Sequence, residues 1–294
     1  MKYAVALVHY RNWPGVAGTL AALRGQTCPP QHIVIVDNSP GATELAEAVS
    51  GADDVTFVPE PRNLGYAAGM NRALQELEPR GDWDAVLCVT HEVRLRPDAV
   101  ETLLLDLETH PGTGAVGPLL GRADEPGLVW SAGGQLAGRR LLASHEAMRE
   151  PLGRVEDTGR RTCAWLDGAA LLLRRAAVER AGPFDPAYFL YWEEVEYALR
   201  LASIGYDVAC VTGAVCWQTP AGTPLYLEGR NRLLLLRRHG RPRDVALELL
   251  VQAARIPRAA AGALTGRRSA RDPLQRGAAL SDGLTGRLRR NLLR

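Results

Sequence analysis

No apolar run in this 294-residue chain reaches the roughly 18 residues that a membrane-spanning helix needs. The opening Met-Lys-Tyr-Ala-Val-Ala-Leu-Val-His-Tyr is too short an apolar run for a secretory signal, and no small-residue cleavage site follows it. It reads as a buried first strand, and without an export signal the protein is expected to be cytoplasmic. Cysteine is scarce: Cys28, Cys88, Cys163, Cys210 and Cys216 are scattered, odd in number and form no CxxC pair. That spacing argues against a structural zinc site, and the thiols read as reduced, mostly buried small hydrophobes. Internal repeats are absent.

Lysine is absent from residues 226–294, where 16 Arg face five Asp and Glu, a net +11. The whole chain carries only +2, which leaves −9 for the first 225 residues. A solvated Arg-rich helical surface is one reading of this tail. A surface for anionic lipid or for an anionic acceptor is the other. Nucleic acid is not expected as a partner, because no nucleic-acid module accompanies the charge.

A chain of this length, with 46% hydrophobic residues, suits one large α/β domain with an appendage. Strand signals at 4–8, 32–36, 55–58 and 85–89 alternate with helical spacing at 15–24, 44–49 and 69–77. That alternation predicts right-handed crossovers and a Rossmann-like, mainly parallel sheet with helices on both faces. Ligands of such sheets bind at the carboxyl ends of the strands. Residues 112–162 are rich in glycine and turn formers, with a strand and turn at 129–134 and a polar, mobile loop at 149–161. Pattern returns as a strand at 165–173, helices at 176–181 and 193–203, and a strand at 207–211. From 226 onward the pattern is helical, with an amphipathic helix at 245–254 interrupted near Pro257. The expected division is therefore 1–225 and a helical, basic extension over 226–294.

Several segments carry chemistry. Glu193, Glu194 and Glu196 follow the aromatic run Tyr188-Phe189-Leu190-Tyr191-Trp192. Aromatic walls desolvate a carboxylate and raise its pKa, the condition for a general base near pH 7. A solvated helix N-terminus favoured by the helix dipole is the plainer alternative. Asp37-Asn38-Ser39 closes the second strand, where it can accept hydrogen bonds from a nucleotide or form an Asx turn. Arg62-Asn63-Leu64-Gly65-Tyr66-Ala67-Ala68-Gly69-Met70-Asn71 joins the third strand to a helix. Its glycines let backbone approach a ligand, and a helix N-terminus favours phosphate. His9 at a strand end is within reach of a nucleotide but reads more readily as a turn or core histidine. His32, His110, His145 and His239 have no partner visible in the sequence.

Taken in order, these segments resemble the inverting family 2 glycosyltransferases of GT-A fold, in a rhamnosyltransferase-like branch. The resemblance runs from Val5 to about His239, with a weaker echo at 276–286. Asn63 to Asn71 is similar to the family's Asn-x-Gly-x-(Ala/Gly)-x-Gly-x-Asn segment. It implies a donor nucleotide held by Asp37, Asn38, Arg62, Asn63, Gly65, Gly69 and Asn71. Val89-Thr90-His91-Glu92-Val93 stands where the family holds Mg²⁺ or Mn²⁺ against the diphosphate through an Asp-x-Asp or Asn-Pro-Asp motif. Glu92 falls on the ligating carboxylate and His91 beside it, and both depart from the family pattern. Glu194 matches the catalytic base, usually Asp, and Glu193 the Glu before it. Asp167, in Trp-Leu-Asp-Gly-Ala, matches a turn that walls donor sugar and acceptor. Gln218 stands where many relatives carry His. Tyr226 to Arg232 matches the family's Tyr-x-x-x-Arg-Asn segment, which makes Arg230 a phosphate clamp.

The resemblance implies single displacement of a nucleoside diphosphate from a sugar by an acceptor hydroxyl. The donor would be a dTDP- or UDP-sugar, and the acceptor a glycan, a lipid-linked saccharide or a natural product. Peripheral contact with an anionic inner-membrane face and a homodimer belong to the same expectation. The altered Thr-His-Glu motif keeps a non-catalytic nucleotide-sugar-binding scaffold in view. A nucleotidyltransferase is a further alternative, although His9-Tyr10-Arg11-Asn12-Trp13 lacks the glycine-rich phosphate loop such enzymes usually carry.

Overall fold

The computed structural model describes residues 1–41, 44–220, 222–265, 267 and 269–292. Its first third alternates as the sequence predicts: β1 (Tyr3–His9), α1 (Trp13–Arg24), β2 (Ile33–Asp37), α2 (Glu44–Val49), β3 (Val55–Pro59), α3 (Tyr66–Leu77) and β4 (Ala85–Thr90). The middle holds β5 (Arg94–Leu95), α4 (Ala99–Thr109), β6 (Thr113–Arg122), β7 (Val129–Ser131), β8 (Gly134–Ala137), β9 (Leu142–His145), α5 (Leu152–Val155), β10 (Arg160–Cys163) and β11 (Ala170–Arg174). Then come α6 (Arg175–Ala181), α7 (Glu193–Ser203), β12 (Asp207–Gln218), α8 (Leu225–His239), α9 (Pro242–Leu264) and α10 (Asp272–Thr285).

The main sheet runs β10-β12-β6-β11-β4-β1-β2-β3. Strands β3, β2, β1 and β4 are parallel neighbours, while β11 enters antiparallel between β4 and β6. This reversal positions the site. Ala170 at the start of β11 pairs with Val89 near the end of β4, and Thr90 N–H donates to Ala169 O at 3.1 Å. β12 runs parallel to β6, so its last residue, Gln218, faces Arg122 at the end of β6. The ends of β4 and β12 and the beginning of β11 therefore share one edge.

Successive side chains of a strand point to opposite faces, and both faces here are apolar. Ala4, Ala6 and Val8 of β1 join one buried cluster with Ala67, Met70 and Ala73 of α3 and Val195 and Leu201 of α7. Tyr3, Val5 and Leu7 join the other with Val16 and Leu20 of α1 and Leu103 and Leu107 of α4. The result is a three-layer sandwich.

Three expectations needed correction. The glycine-rich stretch hides the ten-residue β6, fully buried except at Arg122. The supposedly mobile loop at 149–161 contains α5, whose Val155 is 2% exposed, and the start of β10. α9 passes through Pro257 unbroken to Leu264. The C-terminal helices pack closely on the sheet domain: Leu234 and Leu235 of α8 enter the first core cluster.

Candidate active site

A cavity of about 430 Å³ lies at the shared strand edge. Asn38, Asn63, Gly65, His91, Glu92, Asp167, Glu193, Glu194 and Gln218 line it, walled by Tyr66, Trp130, His145, Trp165, Tyr191 and Trp192. Residues some 150 positions apart in sequence meet here because β11 reverses beside β4.

The carboxylates arrive on a strained loop. Phe189, Tyr191 and Trp192 all have left-handed backbone, with φ of 66°, 66° and 74°. Such conformations are costly for bulky residues and persist only where the surroundings impose them. The surroundings are specific. Asn231 Nδ2 of α8 donates to the carbonyls of Tyr188, Leu190 and Tyr191 at 3.0, 2.9 and 2.8 Å. Tyr66 N–H at the start of α3 donates to Phe189 O at 2.6 Å. Gly65, at φ 88°, is required there, because a Cβ would lie 2.3 Å from Phe189 O. Asn71 closes the approach by accepting from Phe184 N–H and donating to Phe184 O. Trp192 is anchored through Nε1 on Glu228 at 3.0 Å.

The loop delivers Glu193 and Glu194 to the first turn of α7. Glu193 is 3% exposed, and its Oε2 is buried with no hydrogen-bond partner. Burial, with the Asp167 charge nearby, pushes its carboxyl up to about 8. Glu194 is raised well above the ordinary carboxylate range by burial and by the charges of Glu193 and Asp167. Asp167 is held in place: Trp130 Nε1 donates to Oδ2 at 2.8 Å and Ala169 N–H to Oδ1 at 2.9 Å. Glu194 stands against the Gly168 turn, whose carbonyl accepts from Tyr66 OH at 2.7 Å. Burial and mutual repulsion raise Glu193 and Glu194, so this pair holds protons that a lone carboxylate would lose.

On the opposite wall, burial and the neighbouring His9 depress His91 to about 4, so its imidazole is neutral. Glu92 is raised by burial. His91 Nδ1 lies 3.4 Å from Val8 O. Among the described residues, no three His, Cys, Asp or Glu side chains cluster as a metal site.

Several residues assigned to the nucleotide turn out to build the site without lining it. Asp37 is 2% exposed. Asn12 N–H donates to His9 Nε2, so His9 carries its proton on Nδ1 and donates it to Asp37 at 2.9 Å. Burial works against the Asp37 charge, but the hydrogen bonds from His9 and Ser39 outweigh it and hold its pKa below the usual value. Gly69 lets α3 approach Val8 and Asn38, with a Cβ meeting them at 3.0–3.2 Å. Asn38 itself ties Leu64 N–H to Gly65 O. Arg62 is exposed and outside the lining. Arg230 is no phosphate clamp. It is fully buried, donating to Arg287 O, Gly286 O and Asn231 Oδ1, because α10 and the chain after it cover it. The tail's arginine at the rim is Arg290, which donates to Asn63 O at 2.6 Å and lies 5.4 Å from the Phe189 ring centroid.

Sequence reasoning missed His145. It packs between Trp130 and Trp165, with ring centroids 4.7 and 4.8 Å away. Its Nδ1 is buried without a partner, and burial lowers its pKa. Only the β8–β9 hairpin brings it there, with Gly134 leaving room for the Trp165 ring, 2.1 Å from where a Cβ would sit. The one available signal was an aromatic pair bracketing the glycine-rich stretch.

A sheet of this order, with carboxylates gathered at its strand ends, is the architecture of a nucleotide-sugar glycosyltransferase of GT-A type. Solved structures share the fold. GalNAc-T7 with UDP, GalNAc and Mn²⁺ superposes over 81% of this chain and 48% of its own, at TM-score 0.61 and 13% identity. The mannosyltransferase PcManGT from Pyrobaculum calidifontis, in complex with GDP-Man and Mn²⁺, superposes over 96% and 87%, at TM-score 0.54 and 18% identity. Residues 4–177 match the glycosyl transferase family 2 domain, and the chain belongs to that family. It is 30% identical over 220 residues to the N-acetylglucosaminyl-diphospho-decaprenol L-rhamnosyltransferase of Mycobacterium tuberculosis, covering 69% of this chain and 71% of that protein. Family membership sets aside the nucleotidyltransferase reading.

Proposed function

We propose that this glycosyltransferase moves a deoxyhexose, of which rhamnose is the leading candidate, from a dTDP- or UDP-sugar to a hydroxyl of a lipid-linked saccharide on the cytoplasmic side of a membrane. The relatedness to the mycobacterial rhamnosyltransferase supports the sugar and the acceptor class. The observation that carries the reading is the meeting of Asp167, Glu193 and Glu194 in one aromatic-walled cavity at the strand ends. The indole and phenol rings of the wall suit the apolar faces of sugars, and the cavity has the size of a small-molecule site.

Glu194 is the general base in this reading. It takes the proton of the acceptor hydroxyl, whose oxygen attacks the anomeric carbon from the face opposite the diphosphate. The bond from that carbon to the diphosphate oxygen breaks, and the anomeric centre inverts once. Glu193 and Asp167 keep the base poised and orient the acceptor. Asn38, Asn63 and Gly65 border the donor, and Arg290 at the rim faces the leaving diphosphate. Residues 226–294 act as a helical layer of the same domain that braces the aromatic loop.

Glu92 and His91 would hold a Mg²⁺ or Mn²⁺ ion. A carboxylate and a neutral imidazole make an incomplete shell, which diphosphate oxygens and water would fill. A bound ion supplies charge neutralisation for the leaving group. Glu92→Ala should then weaken Mn²⁺-dependent stabilisation by nucleoside diphosphate, while full turnover in excess chelator would remove the metal from the reaction.

A thermal-shift panel of nucleoside diphosphates and nucleotide sugars, with and without Mn²⁺, tests the donor, because a ligand of the native state raises the midpoint. The matching nucleotide sugar should then be consumed with a polyprenyl-diphosphate saccharide acceptor. If nucleotides raise the midpoint but no sugar moves, the non-catalytic nucleotide-sugar-binding scaffold reading holds; if no nucleotide raises it, both readings fall.

A further inference from the structure

α9 is a surface helix with its polarity reversed. Helices on a soluble domain turn apolar residues inward and polar ones to water. Here three of the four buried residues, Asp244, Glu248 and Gln252, are polar, and the fourth is Ala259. Glu248, with no exposed surface, pairs with Arg140 at 2.6 Å and Arg232 at 3.1 Å, and Gln252 bridges Glu248 and Gly229 O. The outward stripe at 247, 250, 254, 257, 261 and 264 steps by three and four residues, the spacing of one helix face. It reads Leu-Leu-Ala-Pro-Ala-Leu, with Leu247 45%, Leu250 69% and Leu264 90% exposed. Leu274 of the next helix, α10, is 71% exposed. Exposed arginines accompany this face: Arg243 and Arg258 on α9, and Arg267 and Arg271 beyond its end.

We propose that this face of α9, with Leu274, lies in the interfacial plane of an anionic lipid bilayer. No helix among the described residues is long and apolar enough to cross a membrane, so α9 lies on it rather than through it. The leucines would enter the acyl boundary and the guanidinium groups would pair with lipid phosphate. Charge selects lipid over a second copy of this chain. Residues 226–294 carry +11, and two such tails face to face would repel. A cleft of about 120 Å³ lined by Glu228, Arg232, Arg255 and Arg276 continues the basic character inward, and it shares Glu228 with the catalytic cavity. The proposal deepens the lipid-linked acceptor reading by naming the surface that would meet the membrane.

The test is co-sedimentation of the full chain with phosphatidylcholine vesicles, with and without phosphatidylglycerol, and with no sugar donor or acceptor present. Binding is therefore read independently of the transfer reaction. The wild type should pellet only with the anionic vesicles and return to the supernatant as salt rises. The double variant Leu250→Asp/Leu264→Asp should lose about tenfold or more in partitioning, since both side chains would enter the apolar boundary. Leu105→Asp, at a 60% exposed position on α4, should bind like the wild type. Unchanged circular dichroism would show that the double variant is folded. The proposal is overturned if the wild type stays in the supernatant at low salt or the double variant binds undiminished. Light scattering that shows a dimer broken by the same double variant would assign the face to a second copy instead.

Discussion

Glu193 and Glu194 stand side by side in one cavity near Asp167, with both carboxyls raised, and the consequences can be measured. Glu194→Gln keeps the shape but cannot take a proton, so kcat should fall by roughly 10²–10⁴-fold while nucleoside diphosphate affinity holds. Wild-type turnover in that variant would move the base to Glu193 or Asp167. Glu193→Gln removes a carboxyl whose ionised form raises the pKa of Glu194. The base must be ionised to act, so the acid limb of kcat/KM, displaced upward in the wild type, should move to lower pH. Stability follows the same linkage. Glu193 is held at about 8 in the folded chain against an ordinary value of 4.5, so the folded state binds more protons between those values. Stability is therefore full below about 4.5 and falls as pH rises through 8. Glu193→Gln should raise the unfolding free energy at pH 8 relative to pH 5, on the order of 3 kcal/mol. Equal effects at both pH values would mean that the pocket is wetter than its burial implies.

At the scale of elements, the loop between α6 and α7 leads into Glu193 and Glu194, and Gly65, Asn71 and Asn231 hold its shape. Asn231→Ala removes the donor shared by the carbonyls of Tyr188, Leu190 and Tyr191. It should cost about 1–3 kcal/mol in stability and, with Glu194 as the proposed base, lower kcat more than it raises donor KM. Gly65→Ala sets a Cβ against Phe189 O at a positive φ and should cost a similar or larger amount. Loss of nucleotide affinity with normal kcat would return Gly65 to the donor, and in the Asn231 variant would assign Asn231 to it. The sequence showed that Asn63–Asn71 and the aromatic-Glu-Glu run mattered, and it marked β1 through β4 and α7 almost to the residue. It could not show that Gly65 and Asn71 serve the aromatic run, since only the reversal of β11 and the packing of α8 bring them together. β6 escaped notice because Gly114, Gly117 and Gly121 read as turns. Their missing side chains instead make room for Tyr206, Leu166 and Trp217. Arg230 was legible as important but not in its role, because a buried arginine and a phosphate-binding one look alike in a sequence.

For the whole molecule, the question is whether residues 226–294 can be removed. The sequence sets them apart by charge, but the structure ties α10 and the chain after it to α8 twice, and α8 to the loop at 188–192 through Asn231. Arg230, buried in α8, donates to the carbonyls of Gly286 and Arg287 beyond α10. Tyr226 OH donates to Asp282 at 2.9 Å and accepts from Arg289 N–H at 2.8 Å. α8 in turn places Asn231 under the loop that carries Glu193 and Glu194. A chain ending at Arg271 would keep α8 yet leave the Arg230 guanidinium facing two lost acceptors and Tyr226 without Asp282. The truncation removes these hydrogen bonds and exposes Tyr226 and Leu227, which pack against Ala279 of α10, so the loss should reach about 3 kcal/mol or more. Calorimetry on the full chain should show one cooperative transition. The shortened chain should melt lower and lose turnover even for donor and acceptor presented in solution, where membrane docking plays no part. An unchanged midpoint with intact turnover would make the tail a separable appendage, and its basic surface would then be its whole purpose.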